Sequence, residues 1–382
     1  MGSSGGVESA KPERDGSVLG GARIDELRAA GVAVWIDALS RDALEGGQFK
    51  AWITDGGITG ATSNPTIFAE ALASPSNPYD TELKSLKSSG IVDAKEIFLT
   101  LAISDVGAAA DLLAETHKRS GGSDGFISIE CTPDLADDTD GTVTQGLEIW
   151  SRLRRPNILV KVPATDAGVV AVRQLITAGV NINITLLFSQ SRYGEVVEAY
   201  LSGLEERLAL GEDLSAVTSV ASFFLSRVDT EVDRQLDEMS ELQGQAAISN
   251  ARLAYQRYKS YFSGTRWDAL ASAGARPQRL LWASTGTKNP SFSDVRYIEE
   301  LVGPDIINTM PPKAYEAFAD HGETRLSIGE DIPGAENVVV KLAEEGVDLG
   351  KVALQLEHEG VAAFCSSYHQ LLRTIATKLQ VP

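Results

Sequence analysis

A lysine in the middle of an apolar, β-branched run carries the most chemistry in this sequence. Lys161 stands in NILVKVP (157–163), with Ile158, Leu159, Val160 and Val162 around it. A strand of that composition is buried on both faces. An ammonium there is costly unless it is paired, hydrated or used. Burial favours the neutral form of an amine. A neutral amine adds to a carbonyl, and the iminium that forms is an electron sink for breaking a carbon–carbon bond. The competing reading is an ion-paired core lysine near a strand end.

Polar residues at period two in other runs bear on that choice. Thr62 and Asn64, Asn183 and Thr185, and Ser222 and Phe224 are each two apart, which puts each pair on one face of its strand. Asp37 ends VAVWID (32–37) and Glu130 closes the apolar part of GFISIEC (125–131). A carboxylate after an apolar run is by itself a common loop starter. One amine, two carboxylates and several amides and hydroxyls at corresponding strand ends form a constellation. An anionic substrate group also needs fixed positive charge and hydrogen-bond donors. Arg227 follows VTSVASFF (217–224) and Lys288 follows RLLWAS (279–284), with Ser222 and Ser284 as hydroxyl donors. Solvated surface bases are the alternative for both cations.

These residues need a frame that brings strand ends together. Besides the runs already quoted, ITGATS (58–63), VNINITLLF (180–188) and INTM (307–310) have strand texture, which makes eight candidates in all. Amphipathic stretches lie between most of them, such as Val169, Val172, Leu175 and Ile176 at helical spacing. Eight strands alternating with helices predict an α/β fold, a (β/α)8 TIM barrel with extra helices, whose active site lies at the carboxyl ends of the strands. An open doubly wound sheet is the rival architecture. Asn64–Pro65 and Thr165–Asp166 read as helix starts. Residues 226–275 read as mostly helical, and 349–378 as one or two helices packing over the barrel or covering its mouth. Residues 1–22 are expected to be a disordered lead-in, of native or vector-derived origin, and 23–382 a single catalytic domain.

Composition narrows the function. Acidic residues outnumber basic ones 53 to 34, for a formal charge of −19. That argues against nucleic acid or an anionic membrane as partner. It also requires any phosphate site to be a compact pocket of Arg and Lys. The two cysteines, Cys131 and Cys365, suit neither a disulfide framework nor a metal site and point to a reducing compartment. The first residues contain no apolar signal-peptide core, so a cytoplasmic protein is expected. No dinucleotide fingerprint, Walker A sequence or HExxH motif occurs, and the four histidines are scattered, so neither metal nor nucleotide cofactor is expected.

TSNPTIF (62–68), ISIECTPDLADDT (127–139), ILVKVPAT (158–165), NINITLLFSQSRY (181–193), TSVASFFLSRVDT (218–230) and LLWASTGTKNP (280–290) resemble the successive motifs of transaldolases. They occur in family order and cover nearly all of the chain from Gly31. The length and the WASTGTKNP block look most like the actinobacterial, cyanobacterial and plastid branch. The resemblance implies that Lys161 forms a Schiff base and that Asp37 takes the proton of the C4 hydroxyl. It implies that Glu130 and Thr165 hold a proton-shuttling water. Asn64 and Asn183 would bind the hydroxyls of a dihydroxyacetone unit, supported by Thr62 and Thr185. Ser222, Arg227 and the base after the seventh strand would bind phosphate; much of the family has Arg there, where this chain offers Lys288. The partners implied are sugar phosphates, and the chain would act as a monomer or homodimer. Two alternatives stand beside this reading. Related lyases that release dihydroxyacetone carry Gln in place of Glu130 and Tyr in place of Phe224, and a non-catalytic sugar-phosphate-binding barrel would tend to lose the lysine or its acids.

Overall fold

Each apolar run becomes a strand, and the strands close on themselves. The computed structural model describes residues 21–380. Its strands are β1 (Val32–Ile36), β2 (Gly60–Ala61), β3 (Ile127–Glu130), β4 (Ile158–Pro163), β5 (Ile182–Leu187), β6 (Ser219–Phe224), β7 (Arg279–Ala283) and β8 (Ile306–Met310). They form a closed parallel barrel in chain order. The closure is the pairing of β1 with β8, from Val32 opposite Ile306 to Ile36 opposite Met310. That pairing excludes the open doubly wound sheet and confirms the (β/α)8 barrel. The strands are mostly apolar and almost wholly buried because helices cover the outside and side chains fill the inside.

β2 is shorter than its run suggested. Gly60 lies against the indole of Trp35, where an added Cβ would sit 2.4 Å from the ring. The close approach of a large buried ring leaves only Gly60 and Ala61 in regular pairing.

The helix starts follow from local chemistry. Asn64 accepts a hydrogen bond from the backbone N–H of Ile67 at 3.1 Å, with Pro65 in the first turn of the helix Pro65–Leu72. Thr165 does the same for Gly168 at 3.0 Å and opens the helix Asp166–Thr177. Between β6 and β7 lie three helices, Ser226–Gln235, Ala246–Tyr261 and Thr265–Ser272. The carboxyl-terminal stretch is one long helix, Leu349–Gln380. At the other end a helix begins at Ala22, inside the stretch expected to be a lead-in; residues 1–20 of that stretch lie outside the described ones. The helix Ala94–Arg119 is long and apolar enough to cross a membrane, but most of its apolar window is buried inside the fold. Cys131 and Cys365 are not joined in a disulfide.

Register places the chemistry. Lys161 on β4 is level with Glu130 on β3 and with Asn183 on β5. An amine, a carboxyl and an amide therefore share one layer across three adjacent strands. β5 is irregular beyond that layer: its register shifts between Ile184 and Leu187, and Leu186 has φ 61°. A left-handed backbone at a bulky buried residue is strained and persists only where the surroundings enforce it.

Candidate active site

A cleft of about 200 Å³ opens at the carboxyl ends of the strands. Its walls include Asp37, Thr62, Asn64, Lys161, Thr185, Ser222, Phe224, Arg227, Ser284 and Lys288. These ten residues were singled out from sequence, and they converge. A larger cleft of about 470 Å³ lies at the opposite end of the barrel and includes Arg276 and Arg279. Those guanidinium groups already donate to backbone carbonyls of Gly121, Ser123 and Ile306, and no lysine lines that cleft. In this fold, that end serves stability.

Lys161 is only 5% exposed. Its Nζ donates to the carbonyl of Ser63 at 3.1 Å and lies 3.7 Å from Oε1 of Glu130. Burial, opposed by the lysine and reinforced by Asp37, pushes the Glu130 carboxyl up to about 7. That group can therefore both give and accept a proton near neutrality. Its Oε2 has no hydrogen-bond partner among the described residues. Glu130 lines a small closed space of about 10 Å³ with Ser63, Asn64 and Thr132, which is the room of a single water.

Asp37 is held by one hydroxyl, which a second hydroxyl holds in turn. Thr62 Oγ1 donates to Asp37 Oδ1 at 2.6 Å and lies 2.9 Å from Thr309 Oγ1. Burial raises the Asp37 carboxyl above the usual range, while Lys161 and the Thr62 hydrogen bond oppose that rise. A carboxylate kept in place by a hydroxyl, inside the electrostatic reach of the amine, can act as a base.

Asn183 lies beneath the cleft, with its amide donating to Ser128 Oγ at 2.9 Å and its oxygen accepting from Ser222 Oγ at 2.7 Å. The two contacts fix which way the amide faces. They also alter the expectation for Ser222: it lines the cleft, but its proton is committed to Asn183 and not to an incoming anion. Thr185, one step further along β5, has a buried hydroxyl without a partner.

Arg227 is half-buried, packs 5.5 Å from the Phe224 ring centroid, and forms no ion pair among the described residues. Burial lowers its pKa, with Glu359 opposing. Lys288 is on the exposed rim. Ser284 holds φ 56°, and its hydroxyl lies 2.9 Å from that of Ser226. Arg227 and Lys288 are the basic residues besides Lys161 on the cleft wall.

Thr165 is not on the cleft wall, and neither is Glu130, which lines the small space with Ser63, nor Asn183 beneath the cleft. The Thr165 hydroxyl accepts from Gly168 N–H and donates to the carbonyl of Ala136 at 2.5 Å. These contacts use its proton and one of its two lone pairs. Sequence reasoning had the helix-cap reading for Thr165 and also the water-holding one; the cap is what the geometry realises. It missed Thr309 and Pro311 at the end of β8 and Phe364 on the carboxyl-terminal helix, all of which line the cleft. Thr309 had a signal, since a hydroxyl ending a strand run matches the pattern that exposed Thr62 and Thr185. Phe364 had none beyond the expectation that its helix covers the mouth.

Comparison with known proteins gives a consistent picture. The family model described as transaldolase/fructose-6-phosphate aldolase matches residues 34–375. A protein of Frankia alni named transaldolase is 45% identical over 362 residues, covering 93% of this chain and 97% of that one. One of Mycolicibacterium smegmatis with the same name is 47% identical over 352 residues, covering 91% and 94%. One of Saccharopolyspora erythraea, also so named, is 43% identical over 363 residues, covering 93% and 97%.

Proposed function

The chain belongs to the transaldolase/fructose-6-phosphate aldolase family, and from that premise we propose how its cleft works. It is a transferase of the transaldolase kind, acting on sugar phosphates through a Schiff base. Lys161 is the nucleophile. The observation that carries this is a buried amine facing the cleft, 3.7 Å from a carboxyl that titrates near neutrality.

The donor is a ketose phosphate, sedoheptulose 7-phosphate or fructose 6-phosphate. Arg227 and Lys288 hold its phosphate by charge-assisted hydrogen bonds. The neutral amine of Lys161 adds to the C2 carbonyl. Protonated Glu130 donates to the carbinolamine hydroxyl, which leaves as water and yields the iminium. The small space beside Glu130 suits that water, and Thr185, whose buried hydroxyl on the cleft wall has no partner among the described residues, is freer than Thr165 to bind it.

Asp37 then removes the proton of the C4 hydroxyl. The C3–C4 bond breaks, its electron pair flows toward the iminium nitrogen, and an aldose phosphate departs. The three-carbon unit remains on Lys161 as an enamine. Asn64 and Asn183 hold its hydroxyls, and the Ser128–Asn183–Ser222 chain keeps the amide from turning. An acceptor, glyceraldehyde 3-phosphate or erythrose 4-phosphate, is attacked by the enamine carbon while Asp37 returns its proton to the new hydroxyl. Water then releases the product ketose. This reading puts the enzyme in the non-oxidative pentose phosphate pathway; we propose that it works in the cytoplasm as a monomer or homodimer, with sugar phosphates and neither nucleic acid nor membrane as partners.

The lyase reading predicts sustained, stoichiometric release of dihydroxyacetone without an acceptor. Assay of fructose 6-phosphate turnover with and without erythrose 4-phosphate tests the choice. Transfer requires turnover to depend on the acceptor; equal turnover without it would make the protein a lyase.

A further inference from the structure

An aromatic ring on the cleft wall lies beside Lys161, and it comes from outside the barrel. Phe364 lines the cleft, is 8% exposed, and places its ring centroid 5.8 Å from Lys161 Nζ. It belongs to the helix Leu349–Gln380. Glu357, Gly360, Phe364, Tyr368 and Leu371 follow each other at helical spacing and are all buried, so they form that helix's inward face.

Each of these residues fixes where the ring sits. Glu357 lies 3.4 Å from Arg192, which also pairs with Asp166 at 2.7 Å. Gly360 rests on Leu186, where an added Cβ would meet Leu186 Cδ2 at 2.8 Å. This is the same Leu186 whose backbone is left-handed. Tyr368 packs 5.5 Å from Phe98, which packs 5.7 Å from Phe68. The ring is therefore anchored one turn before it on strained β5 and one turn after it on an aromatic cluster. It is a fixed cover.

We propose that Phe364 determines whether the three-carbon unit on Lys161 is transferred or hydrolysed. This rests on the reading of Lys161 as the Schiff-base amine. Transfer forms a carbon–carbon bond between the enamine carbon and the acceptor aldehyde, whose oxygen takes a proton. Hydrolysis instead protonates the enamine carbon; water adds to the resulting iminium, and the C–N bond breaks. That route releases dihydroxyacetone and restores the amine, with one water consumed. An apolar ring over the nitrogen keeps stray water and its proton from that carbon, while the acceptor enters from the Arg227 side of the cleft.

The test measures dihydroxyacetone release and transfer to erythrose 4-phosphate in the same reactions, using the full chain with fructose 6-phosphate. Phe364→Ala should raise the release-to-transfer ratio by about tenfold, a loss of roughly 1.4 kcal/mol of discrimination. Phe364→Leu, which keeps apolar bulk, should restore most of it. Gly360→Ala, whose added methyl presses on the Leu186 side chain one turn from the ring, should raise the ratio too and guards against a misfolded Phe364→Ala. Borohydride trapping on Lys161 is followed in all variants. Trapping preserved with an unchanged ratio in both Phe364→Ala and Gly360→Ala overturns the proposal. Absence of trapping in the parent protein removes the Schiff-base reading itself, and the proposal with it.

Discussion

Nζ of Lys161 lies 3.7 Å from Oε1 of Glu130, and the two residues face each other in register on adjacent parallel strands. β3 and β4 thus fix the distance between nucleophile and proton carrier, with no loop involved. Burial raises the carboxyl to about 7, so it is largely protonated below that pH and largely ionised above it. If the protonated form expels water from the carbinolamine, the single-turnover rate of iminium formation falls as pH rises through about 7. Glu130→Gln should be slower by about 10²-fold and lose that pH dependence. Stopped-flow measurement from about pH 5 to about pH 8, where folded proteins are usually most stable, reads both effects.

Asp37 acts after the Schiff base has formed. Asp37→Asn should therefore still yield a borohydride-reduced adduct with fructose 6-phosphate, while release of the aldose phosphate falls by about 10³-fold. Equal loss of both would assign Asp37 to Schiff-base formation instead.

Thr309 holds Thr62, and Thr62 holds Asp37. Removing the outer hydroxyl by Thr309→Val leaves Thr62 free to turn from the carboxyl. The expected loss is about 1 kcal/mol, roughly fivefold in kcat, with KM little changed. A matching drop in Thr62→Val, with no further drop in the double variant, would show the two acting in series.

The phosphate cations differ in burial, so their worth should differ. Arg227 is half-buried and without an ion pair among the described residues, whereas Lys288 is exposed. Arg227→Ala should raise KM for fructose 6-phosphate by roughly 10–100-fold, the range for a charged hydrogen bond. Lys288→Ala should raise it only about threefold. Steady-state kinetics with each variant decides the order.

The barrel was legible because a parallel strand buried on both faces must be mostly apolar, and such runs recur along this sequence. Lys161 stood out for the same reason: a charge inside such a run has few structural excuses. Asp37 and Glu130 became readable once the runs were taken as strands, since their ends meet in a barrel. Thr165 shows the limit. A threonine between strand and helix can cap or can face the cleft, and which it does depends on where the Ala136 carbonyl lies. That carbonyl's position is tertiary information. Phe364 was hidden for another reason. Its helix reads as amphipathic, and nothing local separates a residue covering the cleft from one filling the core. The short β2 was likewise set by Trp35, a contact from the neighbouring strand.

The central claim is a covalent bond to one nitrogen. Borohydride reduction in the presence of fructose 6-phosphate, followed by peptide mass analysis, reads it directly. The account predicts a reduced three-carbon adduct on Lys161, loss of activity in proportion to labelling, and neither adduct nor turnover in Lys161→Met. An adduct on a different lysine, or a Lys161→Met variant that still transfers, would contradict it.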